Sequence, residues 1–561
     1  MKKHTPYSDF YQQAPKLSNE YTNDEFLKDY LSVYIPEGIM NEIRPDLERF
    51  GERVATELIE YANACENNPP KLVSFNAWGD RVDEIKVAPE WQKLEDVAAE
   101  EGLVAIGYER KYGSYSRLYQ FVKLYLYTPS SAIYTCPLAM TDGAARLIEF
   151  YGDDFLKDKP YRGLISRNPE EFLTSGQWMT ERTGGSDVAR SMTFAYEENG
   201  KFVLRGHKWF TSAITADMAF TLASTEQPED GKRAPLSLFY LPIRKEDGAL
   251  NGIQVEALKD KMGTKALPTA QLELTGAEAK LVGEKGKGVR TISTLFNVTR
   301  IYNTISAVSY MRRAYALVEA YGHIREAFGK KINQHILFKK SLLDLEVAYQ
   351  SNTILALYLA RLLGKEDCRE TTPTEEAVLR VLTPIAKLYT AKASIASASE
   401  HIEMFGGLGY LEDTNIPVML RNVQTLSIWE GTTNVLSLDM LRAMEKENGL
   451  PAFKEFAEEL LDAVQLPELQ ESKTILTQKL DIITQFIKNI YTSKDILEGC
   501  ARDIAFYLGD LAIGLLWLDF IQKCPKEKYF KALNYWTKFK MNEQSLELYQ
   551  MMLAENKAHL V

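Results

Sequence analysis

The chain has 561 residues, 45% of them hydrophobic and 25% charged, which is the balance of a folded protein with room for several structural units. Its formal net charge of −11 argues against a general nucleic-acid coat, which needs basic surface. The five cysteines, Cys65, Cys136, Cys368, Cys500 and Cys524, are scattered and form no C-x-x-C pair, so neither a structural zinc site nor a disulfide framework is expected and a reducing compartment fits.

The opening "MKKHTPYSDFYQQ" has neither the apolar core of a secretory signal nor the arginines of a transit peptide. A cytoplasmic location is expected, and a mitochondrial one stays open. Residues 1–170 read as an N-terminal helical domain; "LERFGERVATELIEYA" carries apolar residues at helical spacing. "ENNPPKLVSFNAWGDRVDE" reads as a Pro/Gly/Asn-rich connection or surface excursion. Over residues 171–285 the period becomes that of strands. "TFAYEENGKFVLRG" flanks Asn199-Gly200, a hairpin signal, and "MAFTLAST", "LSLFYLPI", "IQVEAL" and "TAQLELTG" follow as short strands of a compact β domain.

Helical period returns over 286–446. Val289, Ile292, Leu295, Phe296, Ile301, Ile305, Val308 and Met311 form one broad apolar stripe of a long helix, with two further long helices at about 336–364 and 374–405. "MFGGLGYLEDTNIP" breaks the pattern, and helix resumes after Glu430. Residues 447–561 read as an additional helical domain. Its most apolar stretch, "LAIGLLWL" (511–518), is too short to span a bilayer, so no transmembrane segment is expected.

Four places could carry chemistry. "QWMTERTGGSDV" (177–188) joins hydroxyls to glycines that admit a ligand to the backbone, or is an ordinary turn. In "GHKWFTSA" (206–213), Trp209 and Thr211 alternate with Phe210 and point the same way, which suits a flat heteroaromatic ligand or merely a core tryptophan. His207 in this block has no metal-ligand spacing around it, and no metal is expected. "HIEMFGGLGY" (401–410) follows a helical run, so it is not a Rossmann fingerprint; its alternative reading is a helix C-terminus. In "SIWEGTTN", Glu430 stands alone between apolar residues and a glycine. Desolvation there raises a carboxylate's pKa and suits a general base, although a solvent-facing loop glutamate is commoner.

Together, in this order, these blocks resemble the acyl-CoA dehydrogenase family over about residues 90–446. The matching segments are "MTERTGGSD", "KWFTS", "KDKMGTKALPTAQLEL", "GEKGKGV", "FNVTR", "REAFGKK", "EMFGGLGY" and "IWEGTTN". "NPPKLVSFNAWGDRVDEIKVAPEWQKL", the glutamate before "MFGG" and the long helical tail resemble the AidB-type branch, which includes longer animal members acting on fatty acyl-CoAs. The resemblance implies an α+β fold: an N-terminal helical domain, a central β-barrel domain, a C-terminal four-helix bundle and an extra C-terminal helical region.

It also implies FAD as cofactor and a medium- to long-chain acyl-CoA as substrate. Gln177, Met179, Thr180, Gly185 and Ser186 match the loop beside the flavin, with Ser186 also near the acyl-CoA. Trp209, Phe210 and Thr211 match the strand that covers and bonds the flavin. Arg325 and Phe328 match residues that reach the FAD of a neighbouring subunit, and Glu403, Gly406 and Gly407 match the turn that admits that neighbour's adenine end. Thr432 and Asn434 match flavin contacts, and Asn297, Arg300 and Gly431 match acyl-CoA contacts. Glu430 matches the catalytic base, which takes the α-proton while the β-hydrogen leaves as hydride to the flavin. The resemblance further implies a homotetramer built as a dimer of dimers, and an electron acceptor that the sequence does not identify.

Three positions depart from the family pattern: Asn297 replaces a common aspartate, Ile336 a glutamine, and Glu403 a glutamine. Two other functions compete with turnover. One is an FAD-containing protein that sequesters acyl-CoA. The other is a nucleic-acid-associated flavoprotein, as in the bacterial AidB branch. The latter needs a basic tail, yet acids outnumber bases over 451–561, and the locally basic "KCPKEKYFKALNYWTKFK" (523–540) reads better as a solvated helix face.

Overall fold

Helices frame a single β unit in the computed structural model, which describes residues 12–226 and 234–541. The helical reading of residues 1–11 and 542–561 lies outside the described residues. At the N-terminal end, α1 (Tyr115–Tyr127) and α2 (Thr135–Tyr151) are buried on almost every side. Their polar side chains are therefore matched by acids on neighbouring elements, since a buried charge without a partner is strongly destabilising. Arg117 Nη1 lies 2.8 Å from Asp142 Oδ2, and Lys123 Nζ lies 2.7 Å from Asp46 and 2.8 Å from Glu101.

The stretch read as a connection or surface excursion is a hairpin of β1 (Lys71–Phe75) and β2 (Arg81–Lys86). Asn76 Oδ1 closes its turn by accepting the N–H groups of Trp78 and Asp80. The hairpin docks on the β unit, where Asp83 Oδ2 accepts from Val255 N at 2.9 Å and Arg81 Nη2 donates to Val255 O at 2.9 Å. These partners are more than 170 positions away in sequence, so no local pattern announces them.

The β unit contains β3 (Ser175–Trp178), β4 (Phe194–Glu198), β5 (Lys201–Ser212), β6 (Met218–Ser224), β7 (Leu236–Pro242), β8 (Ile253–Leu258) and β9 (Thr269–Val282). Pairing runs β4–β5–β9–β7–β6 and returns to β4 through Phe194 and Ser224, which closes a barrel; β3 pairs with β6 and β8 with β9. The β4–β5 turn is Asn199-Gly200, with φ of 51° and 75°, the primed geometry that matches strand twist.

The C-terminal half is built on α3 (Gly288–Ile324), α4 (Ile336–Asp367) and α5 (Pro373–Met404). Thr372 caps α5 in a capping box with Glu375, and Pro373 starts the helix. Then come α6 (Ile416–Leu426) and α7 (Thr433–Lys446). The predicted apolar stripe of α3 is only part of its buried surface, because Thr299, Asn303, Arg312 and Arg313 are buried as well, while Val289 is 45% exposed.

The apolar stretch 511–518 belongs to α8 (Lys494–Lys523), a longer helix than that stretch alone suggests. Among the described residues it is the one helix long and apolar enough to cross a membrane, but 83% of its most apolar window is buried inside the protein. Trp517 packs tilted and Phe520 edge-on against Phe26 of the N-terminal region. The basic stretch that follows is neutralised internally: Lys526 pairs with Asp29, Lys528 with Glu25, Lys538 with Glu471 and Lys540 with Asp344.

Asp510 of α8 is half-buried against α5, and Tyr389 donates to it at 2.5 Å. Burial pushes its carboxyl up to about 7, against a smaller opposing pull from the Tyr389 hydrogen bond and Lys479. The folded state thus holds a proton that the unfolded state releases near pH 4, and stability falls as pH rises from about 4 to about 7. Asp510→Asn removes this cost. The variant should melt with wild type near pH 4 and above it at pH 8, by up to roughly 4 kcal/mol; thermal unfolding across that range measures the gap.

Candidate active site

Helix α6 ends at Leu426, and Ile428 N and Trp429 N both donate to Thr425 O in its last turn. The chain then enters the left-handed region twice, at Glu430 (φ 55°) and Gly431 (φ 107°), before α7 begins. A glutamate gains nothing from that conformation, which costs roughly 1–2 kcal/mol. Two cations hold it there. Lys387 Nζ of α5 donates to Gly431 O at 2.6 Å, and Arg300 Nε of α3 donates to Glu430 O at 3.3 Å. Arg300 is fixed in turn by Asp439 of α7 at 2.6 Å, and Asp439 also binds Arg380 of α5 at 2.7 Å.

The Glu430 carboxylate accepts from Thr299 Oγ1 at 2.6 Å. Burial pushes its pKa up; the Thr299 hydrogen bond and the charges of Arg300 and Lys387 pull it back without cancelling the rise. Burial likewise brings Lys387 down to about 7, against the opposing attraction of Glu430. An acid raised and a lysine lowered side by side is the pairing expected where a proton is moved near neutral pH.

A second group forms on the barrel. Trp209 N donates to Thr180 O at 2.9 Å, which joins the Gln177–Ser186 segment to β5. That segment is anchored by Glu181, whose carboxylate receives Met192 N and Thr193 Oγ1 at 2.6 Å each and faces the fully buried Lys208 at 2.8 Å. Gly185 and Ser186 are exposed beyond this anchor. The predicted alternation of Trp209, Phe210 and Thr211 is interrupted, because the β5–β9 register shifts between Lys208 and Thr211. In that bulge Phe210 is half-exposed, and the Trp209 ring is covered by Lys259 Nζ at 3.2 Å and Arg182 at 4.9 Å. Thr211 is buried and donates to Ala270 O at 2.8 Å.

Two features fit an extended ligand with a flat, donor-bearing ring such as a flavin. Gln177 Oε1 is a buried acceptor with no partner. Gly184, Gly406 and Gly407 have no atom within 4 Å of where a side chain would begin, which leaves open backbone for phosphates or an adenine end.

Other expected residues lie elsewhere. Arg325 closes α3 and donates to Gln12 Oε1 at 3.2 Å. Phe328 and Gly329 form a two-residue turn at positive φ that leaves Phe328 97% exposed. Glu403 and the Gly406-Gly407 turn are exposed near this end of α3, where Phe405 stacks on Tyr321 at 4.4 Å. Thr432 and Asn434 are exposed beside Glu430, and Asn434 accepts from Arg502 at 3.4 Å. Asn297 is half-buried on α3, two residues before Thr299 and three before Arg300.

Sequence reasoning did not single out Thr299, Lys387, Asp439, Arg380, Glu181 or Lys208. Thr299 stood within a matched block, whereas a lone lysine such as Lys387 has no local signature. Nor does spacing show that His207, Glu256 and Glu273, on three paired strands, have ligand atoms within 4.8 Å of one another.

With this geometry in place, the class is defined. Residues 286–445 match the acyl-CoA dehydrogenase C-terminal domain, residues 176–277 the acyl-CoA dehydrogenase middle domain, and residues 12–168 the N-terminal domain of the adaptive response protein AidB. The chain is 40% identical over 539 residues to acyl-CoA dehydrogenase family member 11 of Caenorhabditis elegans, covering 92% of this chain and 87% of the worm protein. It is 30% identical over 414 residues to the putative acyl-CoA dehydrogenase AidB of Escherichia coli K12, covering 72% and 74%. The crystal structure of C. elegans ACDH-11 in complex with C11-CoA superposes with a TM-score of 0.92 at 37% identity, covering 99% of this chain and 98% of that one. The chain belongs to the acyl-CoA dehydrogenase family and carries an AidB-type N-terminal domain.

Lys387→Met removes both the donor to Gly431 O and one of the cations beside Glu430. Acyl-CoA-dependent flavin reduction should slow roughly 10- to 100-fold, as expected for a misplaced reacting group. The pH midpoint of reduction should also rise, since the raised carboxyl loses a stabilising charge. Stopped-flow bleaching across pH reads both effects; a slower rate with an unmoved midpoint would reduce Lys387 to a packing role.

Proposed function

We propose that this protein oxidises the α,β-carbons of a medium- to long-chain fatty acyl-CoA, with Glu430 as the base. The observation that carries this reading is Glu430 itself, held on left-handed backbone by two cations with its side chain half-buried and its pKa raised. FAD, the cofactor of the family, supplies the hydride acceptor when bound. Gln177 and the Thr180–Trp209 junction would orient its ring, and the open backbone at Gly184 would admit its phosphates. Glu430 accepts the α-proton, and Thr299 steadies the carboxylate oxygen that does not attack. Gly431 meets two demands that exclude a side chain, a φ of 107° and the 2.9 Å approach of Leu436, and its bare backbone would lie beside a bound thioester.

Glu430→Gln tests the assignment. The amide is nearly isosteric but a very poor base. It should keep FAD and bind acyl-CoA while losing flavin reduction by about 10²–10⁴-fold. A variant that reduces flavin at the wild-type rate removes Glu430 from the role. If wild type binds a long acyl-CoA tightly yet reduces flavin no faster than the variant, sequestration replaces turnover as the function.

The assembly belongs to the same reading. Along α3, Arg325 lies roughly 37 Å from Arg300, which holds the Glu430 loop, too far for Arg325 to reach a flavin ring beside Glu430 of its own chain. Phe328, Ile336, Leu337 and Tyr410 are each more than 80% exposed near that end, an uncovered apolar surface of the kind that marks interfaces. A homotetramer in which this end covers a neighbour's FAD accounts for both. Phe328→Ser should lower tetramer content and FAD retention together; light scattering with absorbance at the flavin band measures the two. A monomer with full FAD contradicts it.

A further inference from the structure

A cavity of about 590 Å³ lies between the N-terminal helices and the far half of α3, outside the Glu430 site. From Thr299 to Tyr310, the first α3 residue in its wall, the helix rises roughly 16 Å. Its apolar lining includes Ile59, Ala62, Leu317, Phe405, Leu408 and Met419. That size and composition are those of small-molecule sites.

The polar groups in the wall narrow the ligand. Arg313 is already matched, with Nε 3.2 Å from Glu20 Oε2 and Nη2 donating to Ser130 Oγ at 2.9 Å, so it demands no anion. Glu66 accepts from Asn422 Nδ2 at 3.1 Å, and burial raises its carboxyl, which disfavours the anion that a cationic ligand would need. Asn422 Oδ1 is occupied by Thr264 N at 2.6 Å. Asp413 also lines the cavity and is exposed to solvent.

His401 differs from these groups. Its side chain is fully buried, and Nδ1 lies 3.2 Å from Ala314 O, a carbonyl that can only accept. Nδ1 therefore carries the proton, and Nε2 presents a lone pair. Nε2 has no partner in the protein. Burial brings the imidazole down to about 4, so it stays neutral at physiological pH. Gln12, Gln13, Asn63 and Asn415 add polar groups to the lining, but among the described residues His401 Nε2 is the one buried side-chain atom of this wall without a partner.

We propose that this cavity is a second ligand site, separate from the Glu430 site, for a neutral apolar molecule carrying one hydroxyl, whose O–H donates to His401 Nε2. A long-chain alcohol has this chemistry. The site lies directly behind the Gly406-Gly407 turn, since Phe405 and Leu408 flank that turn and line the cavity.

The test uses FAD-loaded protein titrated calorimetrically with 1-decanol and with methyl nonyl ether, which has the same number of heavy atoms and no donor. Wild type should bind the alcohol at least about 10-fold more tightly than the ether, one hydrogen bond's worth. His401→Leu should bind both alike, and His401→Gln, which restores an acceptor, should recover part of the preference. Should the histidine variants fail to fold, Leu408→Trp provides an independent arm by filling the cavity and weakening both probes. Glu430→Gln should leave the preference intact, and acyl-CoA should not displace the alcohol. Equal binding of the two probes by wild type overturns the proposal, because a trapped water would then satisfy Nε2. Displacement by acyl-CoA also overturns it, by placing the probe in the acyl-CoA site.

Discussion

The burial of α3 is the constraint on which the other layers depend. A helix enclosed on nearly every side cannot leave polar groups to water, so each one needs a partner on whichever element it faces. Arg312 reaches Asp24 and Arg313 reaches Glu20 in the N-terminal region. Tyr302 donates to Asp142 of α2, and Asn303 donates to Leu426 O at the end of α6. Thr299 and Arg300 face the loop that carries Glu430. One element thereby sets the positions of the N-terminal helices, the end of α6 and the Glu430 loop relative to one another.

The strain at Glu430 follows from this arrangement. Left-handed backbone at a glutamate persists only where the surroundings over-determine it. Here the determinants come from three helices: Arg300 on α3, Lys387 on α5 and Asp439 on α7. The same cations that hold the loop also temper the desolvated carboxylate, so backbone geometry and proton affinity are set by one group of contacts. The barrel works in a comparable way. The buried Lys208–Glu181 pair fixes the root of the 181–187 loop, while its outer residues stay exposed for a ligand.

The molecule is asymmetric in what it leaves uncovered. The basic, aromatic stretch near the C-terminus is consumed internally, with its lysines on acids and with Tyr529 and Trp536 buried, so it offers no positive stripe to a polyanion. Large apolar side chains remain exposed at the Phe328 turn and at Tyr410 instead.

Much of the architecture was legible in the sequence. The change of period at the barrel, the Asn199-Gly200 turn and the return of helix at α3 are local properties, set by side-chain alternation and positive-φ residues. Glu430 was legible too, as an isolated acid between apolar residues. The docking of the β1–β2 hairpin was not, because its hydrogen bonds go to Val255. The bulge at Trp209 escaped detection because register is decided by the partner strand β9. Lys387 and His401 look like any lysine or histidine in a helix. Lys387 becomes informative only when tertiary packing sets it against Gly431 O, and His401 only when its second nitrogen is left unmatched beside a cavity. By itself, then, the sequence determined the elements, their order and the acid at the centre. The tertiary structure alone decided the acid's strained backbone, its charged neighbours and the unmet acceptor on His401, since burial and long-range contact are properties of no single stretch of chain.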